Sequence, residues 1–401
     1  WIPENEIWVD DVHMSKPNDM EAILLHERVE RDLIKYFGYN YDNAHEIANI
    51  AETVLRKKVR DGAGLKEVEE ELKKLNIPFF ILLDKVEDGI SKFVGNIEAS
   101  VLVTDFSPLK IKSFWLSEII KSVDCDVYDV DAHNIVPCWE ASKKLEFGAY
   151  TLRPKINKLL PEYLTDFFDA SHQHETCKIP DTYNKDLKCE YTYDDQNINW
   201  DFIEKNIHTD TSVKPVTWLQ PGQKQALKHL QSFIQNKLEH YDENRNNPNL
   251  DYQSDLSPYL HFGHISSQTI ALEVSKSKAS KNSKDAYLEE LIVRKELSDN
   301  FCFYNNDYDS FDGIWDWAKK SLNEHKDDKR DFLYDLETFE NAKTHDDLWN
   351  AAQIQMVRTG KMHGYLRMYW AKIWLLKPCW LVILLAGLNL PIKHWPKFGG
   401  K

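Results

Sequence analysis

The sequence has no apolar run long enough to cross a bilayer. Its longest, Cys379 to Leu388, has ten residues, where a spanning helix needs about twenty. Trp1 to Asp11 carries four acids and no apolar stretch, which is not the pattern of a secretory leader. The six cysteines, at 125, 138, 177, 189, 302 and 379, contain no Cys-x-x-Cys spacing, so neither a zinc ribbon nor a disulfide framework can be read from them. A reducing, intracellular setting, nuclear or cytoplasmic, is the expectation. No Gly-x-Gly-x-x-Gly follows an apolar strand, which excludes an ordinary dinucleotide-binding unit. No internal repeat is visible, and no metal site is assigned. The nearest approach to one, His26-Glu27-x-x-Glu30, has Glu where the helical zinc motif needs its second His and reads as a charged amphipathic helix.

Positive charge is also short. The 401 residues carry a formal net charge of −15, at first sight unfavourable for binding phosphate. The balance is uneven, however: residues 341 to 401 hold nine Lys and Arg against two Asp, and a basic region on an acidic protein is compatible with a local polyanion site. What the chain has in quantity is a globular composition, 42% hydrophobic and 29% charged, with thirteen tryptophans. Such large aromatics serve either to stack on something flat or to fill a big interior.

Two amphipathic helices are expected over Glu21–Phe37 and Asp42–Arg60. From Gly64 helices and strands alternate. Helices are expected at Leu65–Leu75, Val86–Ile97 and Phe114–Ser122, and strands at Pro78–Leu83, Ser100–Thr104 and Val127–Val130. Short apolar strands between amphipathic helices predict a doubly wound parallel α/β sheet covered on both faces. Residues 169–215 are polar and aperiodic and read as a long linker. After Pro221-Gly222 the strand signal ends, and an all-helical second half is expected, with helices at Gln223–Tyr241, Tyr287–Phe301, His345–Thr359 and Lys361–Ile373.

Four segments carry chemistry. A loop bearing Arg245, Gln253, Ser254 and Ser257 runs into a helix, with Ser257 as cap and Pro258 at the first helical position; amides and hydroxyls there suit a phosphate or pyrophosphate. Glu290, Arg294 and Leu297 share a helical face, where an ion pair four residues apart is the default reading. Trp349 and Trp370 sit in helices, the latter beside Arg367, Met368 and Tyr369, where core packing is the default.

Together these segments resemble the photolyase and cryptochrome superfamily, specifically the class II cyclobutane pyrimidine dimer photolyases. The resemblance rests on Val103-Thr-Asp-Phe-Ser-Pro-Leu109, Val130-Asp-Ala-His-Asn-Ile-Val-Pro-Cys-Trp139, Trp218-Leu-Gln-Pro-Gly222 and Leu256-Ser-Pro-Tyr-Leu-His-Phe-Gly263. It continues through Glu289-Glu-Leu-Ile-Val-Arg-Lys-Glu-Leu-Ser-Asp-Asn-Phe301, Thr344-His-Asp-Asp-Leu-Trp-Asn-Ala-Ala-Gln353 and Gly360-Lys-Met-His-Gly-Tyr-Leu-Arg-Met-Tyr-Trp-Ala-Lys372. The resemblance implies an α/β antenna domain followed by an all-helical FAD-binding domain. It also implies light-driven repair in which FAD, active as FADH−, lends an electron that splits cyclobutane pyrimidine dimers in UV-damaged DNA.

By the same resemblance Tyr241, Arg245, Gln253, Ser254, Leu256 and Ser257 hold the flavin and Arg367 faces it. Glu290 bonds the damaged bases, Met368 contacts the dimer, and Trp349 and Trp370 relay electrons to the flavin. The implied partner is damaged DNA flipped into a pocket, with the protein a monomer away from membranes; the resemblance identifies no antenna pigment. A flavin- or DNA-binding, cryptochrome-like remnant without repair activity is the alternative.

The expected division is 1–62, not resembling the family; 63–168, α/β and lacking the family's first strand; 169–215, linker; 216–373, helical; and 374–401, a divergent and truncated tail. In that tail the family's further flavin contacts, including a carboxylate partner for Arg367, are not found. The third relay position falls near Lys377, which is not tryptophan.

Overall fold

The computed structural model describes residues 62–375, apart from 76, 168–188, 193–197, 207–215, 217, 326–327, 330–331 and 333. The helices expected over Glu21–Phe37 and Asp42–Arg60, and the tail from 376 onward, lie outside the described residues.

The α/β half begins with α1 (Gly62–Lys74), β1 (Phe79–Leu82), α2 (Val86–Asn96), β2 (Val101–Asp105), α3 (Lys110–Ser122) and β3 (Asp126–Val130). These are the alternating elements predicted from period and punctuation. Strands β2 and β3 pair in parallel with Val101 opposite Asp126, the geometry that a helical crossover such as α3 allows. Two expectations change. Strand β1 pairs antiparallel with β4 (Cys189–Thr192) in a separate two-stranded sheet. The β2–β3 sheet, expected to be covered on both faces, leaves Val101, Val103, Tyr128 and Val130 exposed.

The stretch expected as a linker is likewise not structureless, since it supplies β4 and the helix Trp200–Asn206. Glu69 explains how it is held. This carboxylate, 7% exposed on α1, accepts from Ile198 N at 3.0 Å and from the Trp200 indole at 2.7 Å. Sequence periodicity carries no sign of such a tie, because its partners lie far apart in the chain.

The rest is helical. After the short α4 (Cys138–Ala141) come α5 (Ala149–Tyr163), α6 (Trp200–Asn206), α7 (Gln223–Asn236) and α8 (Tyr241–Asn244), then α9 (Ser257–His261), α10 (Ser267–Lys276) and α11 (Lys281–Leu288). A π-helical turn, Glu289–Arg294, joins α11 to α12 (Lys295–Tyr304). These are followed by α13 (Asp316–Glu324), α14 (Leu336–Glu340), α15 (Asp347–Thr359) and α16 (Gly364–Leu375).

Caps mark the boundaries. Ser266 accepts from Thr269 N ahead of α10, and Asp346 from Trp349 N ahead of α15, satisfying amides that the first helical turn leaves open. Helix α15 stops at Gly360, which adopts the left-handed φ of 68° that a side chain disfavours. The main core gathers Ile135, Val136, Leu152 and Ile156 with Leu230, Phe233, Tyr259, Ile270 and Ile292. Helix α5 and the loop before it, placed with the α/β half on sequence, therefore pack into the core of the helical half.

Candidate functional site

Between α7 and α9 the chain makes a polar loop on an apolar floor. Tyr241 is 7% exposed, its ring edge-on to Phe233 at 5.8 Å and Tyr287 at 5.2 Å. The Arg245 guanidinium lies 5.7 Å from the Tyr241 ring centroid, and its Nη1 donates to Glu290 Oε1 at 2.9 Å. Burial works against that charge, but Tyr241 and Glu290 more than offset it and raise the Arg245 pKa. Gln253 Nε2 donates to the Arg245 carbonyl oxygen, closing the loop on itself, and lies 3.3 Å from His363 Nε2. Ser254 meets the Tyr287 hydroxyl. Leu256 is only 1% exposed, its amide faces Ser254 Oγ at 3.5 Å and its carbonyl accepts from Leu260 N at 3.0 Å, so it packs under the loop.

The expected cap is corrected here. Leu256, with no side-chain cap bond, occupies the cap position of α9; Ser257 is the first helical residue, and the helix has only five residues. One turn aligns few peptide dipoles. The short helix therefore offers little dipole to an anion at this loop, which leaves side-chain donors such as Arg245.

Glu290 sits in the π-helical turn, and this overturns the expected Glu290–Arg294 pair. A π turn closes through i→i+5 bonds, which moves the facing partner by one residue. Arg294 Nε accordingly donates to Glu289 Oε1 at 3.1 Å. Glu289 also receives a two-pronged contact from Arg153 on α5, at 2.9 and 2.7 Å. With Glu289 occupied, Glu290 is turned toward Arg245 and remains about half exposed, at 46%. Such turns recur at functional sites because they re-aim a side chain without breaking the helix.

Helices α15 and α16 bring the two tryptophans together. Trp349 is fully buried, and its ring stacks on Trp370 with centroids 5.8 Å apart and planes inclined by 8°. Both indole donors are satisfied: Trp349 Nε1 donates to the Trp370 carbonyl at 3.0 Å, and Trp370 Nε1 to Gln353 Oε1 at 2.9 Å. These bonds lock both ring planes. Asp346 caps α15 at the Trp349 amide and also accepts from the Tyr369 hydroxyl.

On α16, Arg367 is open to solvent yet closely enough surrounded that burial lowers its guanidinium pKa. Its Nη2 and the Gln253 amide oxygen converge on Gly364, lying 3.7 and 3.8 Å from where a β-carbon would stand. Met368 is partly exposed on the same helix.

The fold thus links Tyr241, Arg245, Gln253 and Glu290 by direct contacts, brings Arg367 to Gln253 across Gly364, and stacks Trp349 on Trp370. Sequence reasoning missed Arg153 and Glu289, which fix the π turn, and Gln353, Lys361 and His363, which hold the tryptophan pair and the loop. Gln353 stands four residues after Trp349, a one-face spacing that could have signalled it. Among the described residues Arg367 makes no ion pair. A guanidinium with no ion pair among the described residues, near the loop that carries Arg245 and Ser254, fits an anionic, phosphate-bearing cofactor such as a flavin dinucleotide.

This arrangement, a small parallel α/β unit followed by a helical domain, is the photolyase and cryptochrome fold. The chain superposes on a cryptochrome from Synechocystis sp. PCC6803 with a TM-score of 0.54 at 16% identity, covering 72% of this chain and 58% of that one. It superposes on an archaeal photolyase from Sulfolobus tokodaii, solved with two FAD molecules, with a TM-score of 0.56 at 14% identity, covering 81% and 67%.

The sequence model of the DNA photolyase family matches residues 45–175. The chain is 46% identical over 312 residues to the deoxyribodipyrimidine photo-lyase of Potorous tridactylus, and 43% identical over 318 residues to that of Arabidopsis thaliana. Over these residues the chain is similar to members of the DNA photolyase family. Each match takes in 77% of this chain, and the chain spans 56% and 62% of the two relatives' own lengths. The family match opens at residue 45, ahead of the boundary expected at 62.

Proposed function

We propose that the chain carries the flavin- and lesion-binding part of a class II cyclobutane pyrimidine dimer photolyase. The observation that carries the reading is the Trp349–Trp370 stack, whose Trp370 is on the helix bearing Arg367, itself drawn to the Gln253 loop at Gly364. An electron path and an anion site therefore share one element.

In this reading Arg245, Gln253, Ser254, Ser257 and Arg367 hold FAD, with Leu256 packed under the loop and Tyr241 as the floor under Arg245. When bound and reduced, the flavin supplies the photoexcited electron that opens a cyclobutane ring with no net redox change. Trp349 and Trp370 deliver electrons inward from an external reductant, since a parallel indole pair can hold a transient radical cation. Glu290, directed by Arg245, accepts hydrogen bonds from the bases of a flipped-out dimer, and Met368 lines that pocket. No nucleophile or metal enters this scheme. DNA containing the dimers is the partner, and the protein acts as a monomer.

The test is repair of a thymine-dimer oligonucleotide by flavin-loaded protein under blue light, with a dark control. Light-dependent repair supports the reading. Flavin binding without repair under light favours the cryptochrome-like alternative.

A further inference from the structure

The segment between the two relay helices, Thr359 to His363, touches the cofactor loop and the Trp218–Gly222 motif together. Trp218 Nε1 donates to the Thr359 carbonyl at 2.7 Å. Lys361 Nζ reaches both carboxylate oxygens of Asp255, at 2.7 and 2.8 Å, and lies 5.4 Å from the Trp218 ring centroid. His363 contacts Gln253.

Asp255 has φ of 55°, a left-handed conformation that costs an ordinary residue free energy. It stands between Ser254 and Leu256, so its backbone sets where the loop's hydroxyls and amides point. Its side chain is 12% exposed and that of Lys361 29%, so the pair is partly shielded and removing one partner leaves the other short of solvation.

We infer that Lys361 is a positioning residue for the cofactor loop: its ammonium group, steadied by the Trp218 face, holds Asp255 in the left-handed conformation that the loop's flavin-binding geometry needs. The inference deepens the flavin reading above and rests on it. Lys361 lies in the connection between α15 and α16, so the same contact ties the loop to the element that carries the tryptophan stack. Lys237 makes a second tie, from Nζ to the Gln253 carbonyl at 3.3 Å, but none to Asp255.

The test uses the full chain. FAD affinity is measured by fluorescence titration, and amide hydrogen exchange at residues 253–258 is followed without flavin. Lys361→Met should weaken FAD binding by about tenfold or more, the scale of a lost charged hydrogen bond, and speed exchange in the loop. Lys361→Arg should restore both. Asp255→Asn in the Lys361→Met background should recover most of the affinity, because asparagine adopts the left-handed conformation more readily and leaves no unpaired charge.

Wild-type affinity in folded Lys361→Met would overturn the inference, as would a double variant no better than the single one. Should the wild-type chain bind no FAD, the flavin reading fails. The exchange comparison still decides whether Lys361 holds the loop: unchanged exchange in Lys361→Met rejects the latch.

Discussion

At the scale of single residues the site is a set of paired donors and acceptors, each aimed by a neighbour. Trp370 is held by Gln353 and stacked on Trp349, so removing its indole should interrupt electron delivery while leaving the pocket in place. Trp370→Phe is expected to slow photoreduction of oxidised flavin by at least about tenfold, since each 1.4 kcal/mol on a barrier is a factor of ten. Bleaching of the flavin band under blue light measures this, and an unchanged rate removes Trp370 from the relay. Glu290 is a different case, half exposed and bound to Arg245. Glu290→Gln keeps its shape and removes its charge. It should lower affinity for a dimer-containing oligonucleotide by about tenfold, as for a hydrogen bond with one charged partner, with FAD affinity little changed.

The elements show why some of this geometry was legible beforehand and some was not. Gly360 was read as part of a motif, and its reason is conformational: φ is 68°, and a β-carbon there would come within 2.5 Å of Val216 Cγ1. Gly360→Ala should therefore destabilise the protein by about 1–3 kcal/mol, seen as a lower urea midpoint, and should loosen the contact between Trp218 and the end of α15. The tryptophan helices were expected at 345–359 and 361–373 and occur at Asp347–Thr359 and Gly364–Leu375, because cap and glycine signals are local. The π turn was not legible. It arises where Arg153 and Arg294 converge on Glu289, a preference that involves a helix more than a hundred residues away. Helical spacing alone assigned Arg294 to the wrong glutamate.

For the whole molecule, the loop before α4 docks on α12 through a buried acid. Glu296, 3% exposed, accepts from Ile135 N at 2.8 Å and Val136 N at 3.4 Å through Oε1, while Oε2 has no hydrogen-bond partner among the described residues. Burial, opposed by these bonds and by Lys295, raises its pKa from 4.5 to about 7. An acid whose folded pKa lies above its unfolded one costs stability as pH rises between the two values, with no further loss above the higher. From this group the protein should lose about 3 kcal/mol between about pH 4.5 and 7. Glu296→Gln, neutral in both states, removes the dependence. Urea unfolding should give similar stabilities for the two proteins near pH 5 and a more stable variant near pH 8; parallel pH curves would reject the assignment. The acidic net charge, by contrast, says little about binding, because charges near the loop are largely paired off, Arg245 with Glu290 and Lys361 with Asp255, and Arg367 makes no ion pair among the described residues.

Sequence by itself determined the helix–strand alternation up to β3, the helical character of the second half, the polar loop at 241–257 and the resemblance to the photolyase family, since apolar period, glycine and proline punctuation and ordered motifs are local properties. Tertiary structure alone decided which strand pairs with β1, which glutamate Arg294 meets, how Glu69 pins the stretch taken for a linker, and that Lys361 closes on Asp255. Those outcomes depend on through-space distances between residues far apart in the chain. Hydrogen bonds and ion pairs have energies set by such distances and by local burial, and neither quantity is written in residue order.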